Sequence, residues 1–312
     1  MRIIRDLSFV DPDDRWAAAA IGNFDGVHVG HQSVIDLARA AGEKIGAPLG
    51  ILTFEPHPRE FFTPEAPPFR LMSAEARSNR LEKLGVARLY ELTFNAALSS
   101  RNPVDLAQDV IAEGLGLKHV VVGADFCFGR GRKGTTQDLE AFGAKMGFGV
   151  TIATLLQGSE GEVSSTAIRN ALSDGRPRDA AQMLGHWHRI DGPVISGEQR
   201  GRELGYPTAN MSIEGLHKPK FGVYAVLVDV LDGPHQGSYQ GAASIGVRPM
   251  FQGEVPNIET FLFDFTGDLY TSELSVALVE YLRPEETFDD LAAFIAQMDA
   301  DCAKARSILD AL

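Results

Sequence analysis

The feature that most constrains this chain is a change of texture near residue 185. Before it, short apolar stretches alternate with segments of helical spacing. Residues 16–21, 51–54, 88–92, 118–122 and 150–155 read as strands, and 74–84, 103–113 and 137–146 as helices between them. That alternation predicts an α/β domain, a mostly parallel sheet with helices on both faces. Beyond residue 185 it stops. Residues 190–195, 224–231, 241–245, 258–263 and 274–282 read as successive strands across turns rich in Gly, Pro and Asp. Such spacing predicts a small antiparallel β-barrel. A terminal helix over 289–309 follows, with Leu291, Phe294, Ile295, Met298, Cys302, Ala305 and Leu309 as its apolar stripe and Thr287 with Asp290 as a capping box. The chain thus divides into 1–185 and 186–312, and its 312 residues suit two domains.

A hydrophobic fraction of 44% supports ordinary cores, and a net charge of -13 argues against nucleic acid or an anionic membrane surface as partner. Cys127 and Cys302 form no disulfide framework, and Cys302 reads as a core thiol. Arg2 and Arg5 are followed by acidic residues rather than an apolar core, and no apolar run is long enough to span a bilayer, so a cytoplasmic protein is expected. The oligomeric state is not specified.

In a parallel sheet, ligands bind beyond the carboxyl ends of the strands, and the chemically unusual residues fall there. After the first strand comes Gly22-Asn23-Phe24-Asp25-Gly26-Val27-His28-Val29-Gly30-His31. The glycines let the backbone turn sharply and approach a ligand. A helix opens at the two histidines, with Val34, Ala38, Ala41 and Ile45 at helical spacing, and its free N–H groups favour a phosphate. The second strand ends in Glu55-Pro56-His57-Pro58, a rigid loop whose His57 is either structural or presented to a ligand. After 118–122 come Asp125, Phe126, Cys127 and Phe128; each aromatic either flanks a planar ring or belongs to the core. Arg130, Arg132 and Lys133 then form a basic loop. The last strand leads to Ser164-Ser165-Thr166-Ala167-Ile168-Arg169, where Ser165 or Thr166 is the expected helix N-cap and Arg169 lies one turn on. Hydroxyls, backbone N–H groups and a guanidinium together suit a triphosphate.

In the second half, Gly197, Arg200, Gly201, Arg202 and Gly205 make a loop of the phosphate-cradling kind or a tight surface turn. Tyr206 and Pro207 lead into an extended segment whose Thr208 and Asn210 face the same side as hard oxygen ligands suited to Mg²⁺. Glu259, early in its strand, pairs with Arg248 or Arg283, points to solvent, or serves as a general base.

The Gly22 to His31 motif and the Ser164 to Arg169 motif resemble the nucleotidyltransferase superfamily. With Thr53-Phe54-Glu55-Pro56-His57-Pro58 and Gly123-Ala124-Asp125-Phe126-Cys127-Phe128-Gly129, they resemble the FMN adenylyltransferase module of bacterial bifunctional riboflavin kinase/FAD synthetases. The second half resembles the same family's riboflavin kinase module, on Gly201-Arg202-Glu203-Leu204-Gly205-Tyr206-Pro207-Thr208-Ala209-Asn210, Glu259-Thr260 and Leu282-Arg283-Pro284-Glu285. The resemblance implies a Rossmann-like parallel sheet followed by a six-stranded barrel. It implies riboflavin, FMN and ATP as substrates, with Mg²⁺ accompanying ATP. It assigns Gly22, Asn23, Phe24, Asp25, Gly26, His28, His31, Ser164, Ser165, Thr166 and Arg169 to ATP of the first module. Pro56, His57, Asp125, Phe126, Phe128 and Arg248 fall to flavin, and the 197–205 loop, Pro207 and Thr208 to ATP of the second. Thr208 and Asn210 fall to the metal, and Glu259 to the base that takes the riboflavin 5′-hydroxyl proton. The chain departs from the family at Cys127, Ser244, Met250 and Phe261. Two other readings remain: a nucleotidyltransferase for another phosphate ester with the barrel as a specificity domain, and a non-catalytic flavin-binding protein.

Overall fold

The structure is a computed structural model describing residues 1–154, 157–158, 161–195, 206–250 and 253–312, with backbone alone at 157–158, 161–162, 248–250 and 253–255. Contacts divide the chain into two compact units. One comprises Met1–Pro67 with Ala74–Val163, the other Pro68–Ser73 with Ser164–Leu312.

In the first unit, six strands form one parallel sheet. They are β1 (Arg2–Ile4), β2 (Ala18–Ile21), β3 (Leu49–Glu55), β4 (Arg88–Thr93), β5 (His119–Gly123) and β6 (Gly149–Ala153), in the order β1-β4-β3-β2-β5-β6. The order reverses between β2 and β5, which is where an open parallel sheet leaves a crevice. Strand β2 is Ala-Ala-Ala-Ile and wholly buried. Its small side chains fit a strand covered on both faces.

Helix α1 (Val29–Ile45) buries Ile35, Ala38 and Gly42. The expected stripe of Val34, Ala38, Ala41 and Ile45 is therefore rotated, and Ile45 is exposed. The cause is close packing. A Cβ on Gly42 would lie 2.7 Å from the Ala47 carbonyl oxygen and 3.3 Å from Ala18 Cβ. Helices α2 (Pro58–Phe62), α3 (Ala74–Lys83), α4 (Pro103–Asp105) and α5 (Thr136–Met146) complete the covering layers. Beyond α4 the expected helix widens over Leu106–Ala112, where the Glu113 N–H bonds back to the Gln108 carbonyl and Ala107, Val110 and Ile111 reach the core.

The second unit opens with α6 (Ser165–Ser173) and α7 (Pro177–Leu184). Their Ile168, Ala171, Leu172, Ala180 and Leu184 form a small core with Leu71, which the 68–73 excursion contributes. Six antiparallel strands follow: β7 (Arg189–Pro193), β8 (Thr208–Ser212), β9 (Gly222–Val230), β10 (Gly237–Met250), β11 (Gly253–Leu262) and β12 (Glu273–Arg283), in the order β8-β11-β10-β9-β12-β7. The Ile195 N–H bonds the Asn210 carbonyl at 2.8 Å and nearly closes the barrel. Helix α8 (Leu291–Leu309) packs on β9, β10 and β12. Its cap is Asp290, accepting from the Ala293 N–H at 2.7 Å, so Thr287 forms no capping box. Asp301 is buried on its inner face because Arg283 grips it through Nε and Nη2 at 2.8–3.1 Å.

His188 sits buried at the start of the barrel. Burial, then His217 and His186, push its imidazole down from 6.5 to about 3. As pH falls below 6.5 the unfolded chain takes this proton before the folded one does. The stabilisation is full above 6.5 and is lost between 6.5 and 3, about 2 kcal/mol of it by pH 5. In a Trp16→Phe background, Trp187 fluorescence reports urea unfolding of this unit. His188→Leu should lose about 2 kcal/mol less stability between pH 7.5 and 5 than the same background with His188 retained.

Candidate functional site

The turn from β2 into α1 carries three left-handed residues in four: Phe24 (φ 54°), Gly26 (φ 84°) and Val27 (φ 44°). For Phe and Val that backbone costs about 1–2 kcal/mol each, so surrounding contacts must hold it. Both side chains are buried. The Val27 carbonyl accepts from Gln32 Nε2 at 2.9 Å, and the Asn23 carbonyl accepts from Thr53 Oγ1 and Arg77 Nη1, each at 3.3 Å.

His28 is the N-cap of α1, its Nδ1 accepting from the His31 N–H at 3.2 Å. That bond leaves Nε2 to carry the proton of the neutral ring. The His28 and His31 rings stack at 3.6 Å and 18°. A Cβ on Gly30 would meet His28 Nδ1 at 3.0 Å and Cε1 at 3.1 Å. Glycine here is what lets the first ring lie over the helix. Burial, and then His28, hold His31 well below the usual imidazole range, and its Nδ1 has no hydrogen-bond partner among the described residues. His31 is therefore neutral at pH 7, and with His28 stacked on it forms a pair able to receive charge that develops on an anion. The same Gly30 Cβ would lie 3.6 Å from the Val163 carbonyl.

At neighbouring strand ends, His57 caps α2. Its Nδ1 accepts from the Arg59 N–H at 3.0 Å, and the Glu60 carboxylate accepts the His57 N–H at 3.2 Å. Pro56 and Asp125 are exposed. Phe126 and Phe128 stack on each other at 5.7 Å, and Phe128 is a buried core residue in edge contact with Phe142. Asp25 is buried.

In the second unit the α6 cap is Ser164, whose hydroxyl accepts from the Ala167 N–H at 3.2 Å. The expected cap at Ser165 or Thr166 is corrected: the helix opens earlier and both lie in its first turn. Arg169 points Nη2 to Thr166 Oγ1 at 3.3 Å and Nη1 to the Phe69 carbonyl at 3.4 Å, over the Phe69 ring. His217 Nε2 lies 3.0 Å from the Arg169 carbonyl.

On the barrel, Asn210 stands opposite Glu259, Thr208 opposite Phe261, and Ser244 opposite Glu259 on the other side. Ile258 and Leu262 fill the barrel core, so alternation sends Glu259 and Phe261 to the outer face with Asn210 and Thr208. The family departures Ser244 and Phe261 thus lie among these residues. Asn257, buried and two residues before Glu259, donates Nδ2 to Glu259 Oε1 at 3.4 Å. Arg283, a candidate partner of Glu259, gives its guanidinium to Asp301 instead. Tyr206 donates its hydroxyl to Asp299 on α8, which with burial pushes the phenol up to about 12, and its ring meets Phe261 edge-on. Pro207 is exposed. Gly197, Arg200, Gly201, Arg202 and Gly205 lie outside the described residues, as do the side chains of Arg248 and Met250.

Sequence reasoning gave no role to Arg77, to Asn257 or to Thr53, which it quoted only as part of a motif. Only Asn257 left a local signal, an amide on the same strand face as Glu259.

Residues 10–167 match the FAD synthetase family, and residues 184–309 match the riboflavin kinase family. A Pseudomonas fluorescens protein named bifunctional riboflavin kinase/FMN adenylyltransferase is 40% identical over 309 residues, 99% of this chain and 98% of that one. The chain belongs to the bifunctional riboflavin kinase/FMN adenylyltransferase family. Proteins of the same name from Bacillus subtilis (strain 168) and Escherichia coli (strain K12) are 35% and 33% identical. They cover 90% and 98% of this chain and 89% and 97% of their own. A crystal structure titled macrolide-efflux protein from Streptococcus pneumoniae superposes with a TM-score of 0.83 at 29% identity over 96% of each chain. Among the described residues, no helix is long and apolar enough to cross a membrane.

As a bifunctional riboflavin kinase/FMN adenylyltransferase, the chain uses ATP to phosphorylate riboflavin to FMN in its C-terminal part. It adenylylates FMN to FAD, with release of pyrophosphate, in its N-terminal part. Gly30→Ala should lower FAD formation by about tenfold or more, because the added methyl displaces the His28 ring. Riboflavin phosphorylation by the same chain should stay within about twofold, as read by chromatography of the flavins.

Proposed function

We propose that ATP for adenylyl transfer is bound at the stacked histidine pair, and ATP for riboflavin phosphorylation on the β8–β11 face of the barrel. The observation that supports the first most directly is the stacked His28–His31 pair at the opening of α1, with His31 buried and held neutral, beside the reversal of strand order. An FMN phosphate oxygen attacks the α-phosphorus of ATP, the new P–O bond forms, and the bond to the β-phosphate oxygen breaks. No side-chain nucleophile is needed, since the attacking phosphate is already an anion. His28, His31 and Arg169 stabilise the charge moving onto pyrophosphate. Gly22, Asn23, Phe24, Asp25 and Gly26 shape the cradle, and Ser164, Ser165 and Thr166 add donors. Pro56, His57, Asp125 and Phe126 face the flavin, with Phe128 stacked against Phe126 from the core.

In the barrel, Glu259 accepts the proton of the riboflavin 5′-hydroxyl as that oxygen bonds the γ-phosphorus and ADP leaves. Gly197, Arg200, Gly201, Arg202, Gly205 and Pro207 cover the phosphates, and Arg248 contacts the flavin. The family generally needs a divalent metal, and we assign Mg²⁺. Thr208 and Asn210 offer two hard oxygens on one face. That set fits an ion that keeps few protein ligands and completes its shell with phosphate and water. Bound there, Mg²⁺ would neutralise phosphate charge. We place the enzyme in the cytoplasm, acting on riboflavin, FMN and ATP without nucleic acid or membrane, and set the functional boundary between 185 and 186.

His31→Ala should abolish FAD formation from FMN while FMN formation from riboflavin persists, and Glu259→Gln should do the reverse. Equal loss of both activities in either folded variant would count against separate sites. Chains cut at 185/186 should each fold with one activity. A C-terminal piece able to make FMN only when begun at Ser164 would move the boundary to the contact division.

A further inference from the structure

Arg77 lies on α3 and is 2% exposed. Its guanidinium serves three neighbouring strands at once. Nη1 donates to the Asn23 carbonyl just beyond β2 at 3.3 Å. Nη2 donates to Glu55, the last residue of β3, at 3.1 Å, and to Glu91 on β4 at 2.8 Å. Glu91 is as buried as Arg77, and its other oxygen takes Arg5 Nε at 3.0 Å. Thr53 Oγ1 adds a second donor to the same Asn23 carbonyl.

A buried ion pair is a weak device for stability alone, since apolar residues of like volume serve as well. What this fork supplies is registry. Asn23 opens the strained turn that ends in the histidine pair, and Glu55 immediately precedes Pro56 and His57. The Asn23 carbonyl is thereby held by a charged donor at low dielectric, where such bonds are strong. A planar guanidinium holds its donors at fixed angles, so a shift of one acceptor is felt by the others.

We propose that Arg77 is a positioning residue that ties the histidine turn to the Pro56-His57 loop and makes ATP binding and FMN binding interdependent. The proposal rests on the assignment of ATP to the first loop and FMN to the second. When ATP settles against the histidine turn, Asn23 and Arg77 fix Glu55, and with it the loop that receives the flavin. Arg77 itself touches neither substrate.

The test is the initial rate of FAD formation by the full chain over a grid of ATP and FMN concentrations. Arg77→Met leaves the buried Glu91 carboxylate with Arg5 alone, so Arg77→Met/Glu91→Gln is measured beside it, with Arg77→Lys as the conservative variant. In the wild type the KM for FMN should fall about fivefold or more as ATP saturates. In both Met variants it should not change with ATP, and kcat should fall about tenfold. Arg77→Lys, which keeps the charge, should recover part of the ATP dependence. Riboflavin phosphorylation in each variant should stay within about twofold of wild type, which shows that the chain is folded. Wild-type ATP dependence in the double variant would overturn the proposal. So would a wild-type KM for FMN that ignores ATP, or loss of both activities together. His31→Ala separates the two levels. If it retains FAD formation, the ATP assignment fails. If it abolishes FAD formation while the double variant behaves as wild type, the Arg77 proposal fails alone.

Discussion

Turning β2 into α1 within residues 22–28 is the constraint on which the adenylyl-transfer half depends. The sheet is parallel and β2 is central, so this connection must cross its carboxyl edge tightly. Two non-glycine residues accept left-handed backbone to do so. Buried Phe24 and Val27, the hydrogen bonds to the Asn23 and Val27 carbonyls, and the His28 cap oppose that cost. In return the start of α1 presents two stacked imidazoles, and burial keeps His31 of the pair neutral.

The barrel reaches its chemistry by a different route. Antiparallel register, not a strained turn, sets Asn210 beside Glu259 and Thr208 two residues along the same face. The period of two along each strand separates this polar face from Ile258, Leu262, Met211 and Ile245 in the core. Helix α8 then anchors the surroundings, taking Tyr206 through Asp299 and Arg283 through Asp301. Phe261 sits between Tyr206 and Phe263, in edge contact with both rings, and gives the position opposite Thr208 an apolar wall.

Local pattern carried a great deal of this. The alternation of strands and helices, the Gly-rich strand-to-helix turn and the Thr208/Asn210 spacing are all set by residues near one another in sequence, and the structure follows them. What escaped were features fixed by distant partners. The edge strand β1 is three residues long and has no period to read. The rotation of α1 onto Gly42 depends on Ala18 and Ala47. The 68–73 excursion joins the second unit because Leu71 finds a core nearly a hundred residues away, with Ile168. Arg77 looked like one more charge on a helix. Its meaning lies in Asn23, Glu55 and Glu91, which only the folded sheet brings together.

The central claim is that two separate constellations in one chain, the histidine turn and the Asn210–Glu259 face, each carry one step. The most direct measurement is a complementation time course. His31→Ala and Glu259→Gln chains are mixed and supplied with riboflavin, ATP and Mg²⁺, and the flavins are resolved by chromatography. The account predicts that neither chain alone makes FAD from riboflavin, while the mixture accumulates FMN and then converts it to FAD. A mixture that stops at FMN, or forms no FMN, would contradict it.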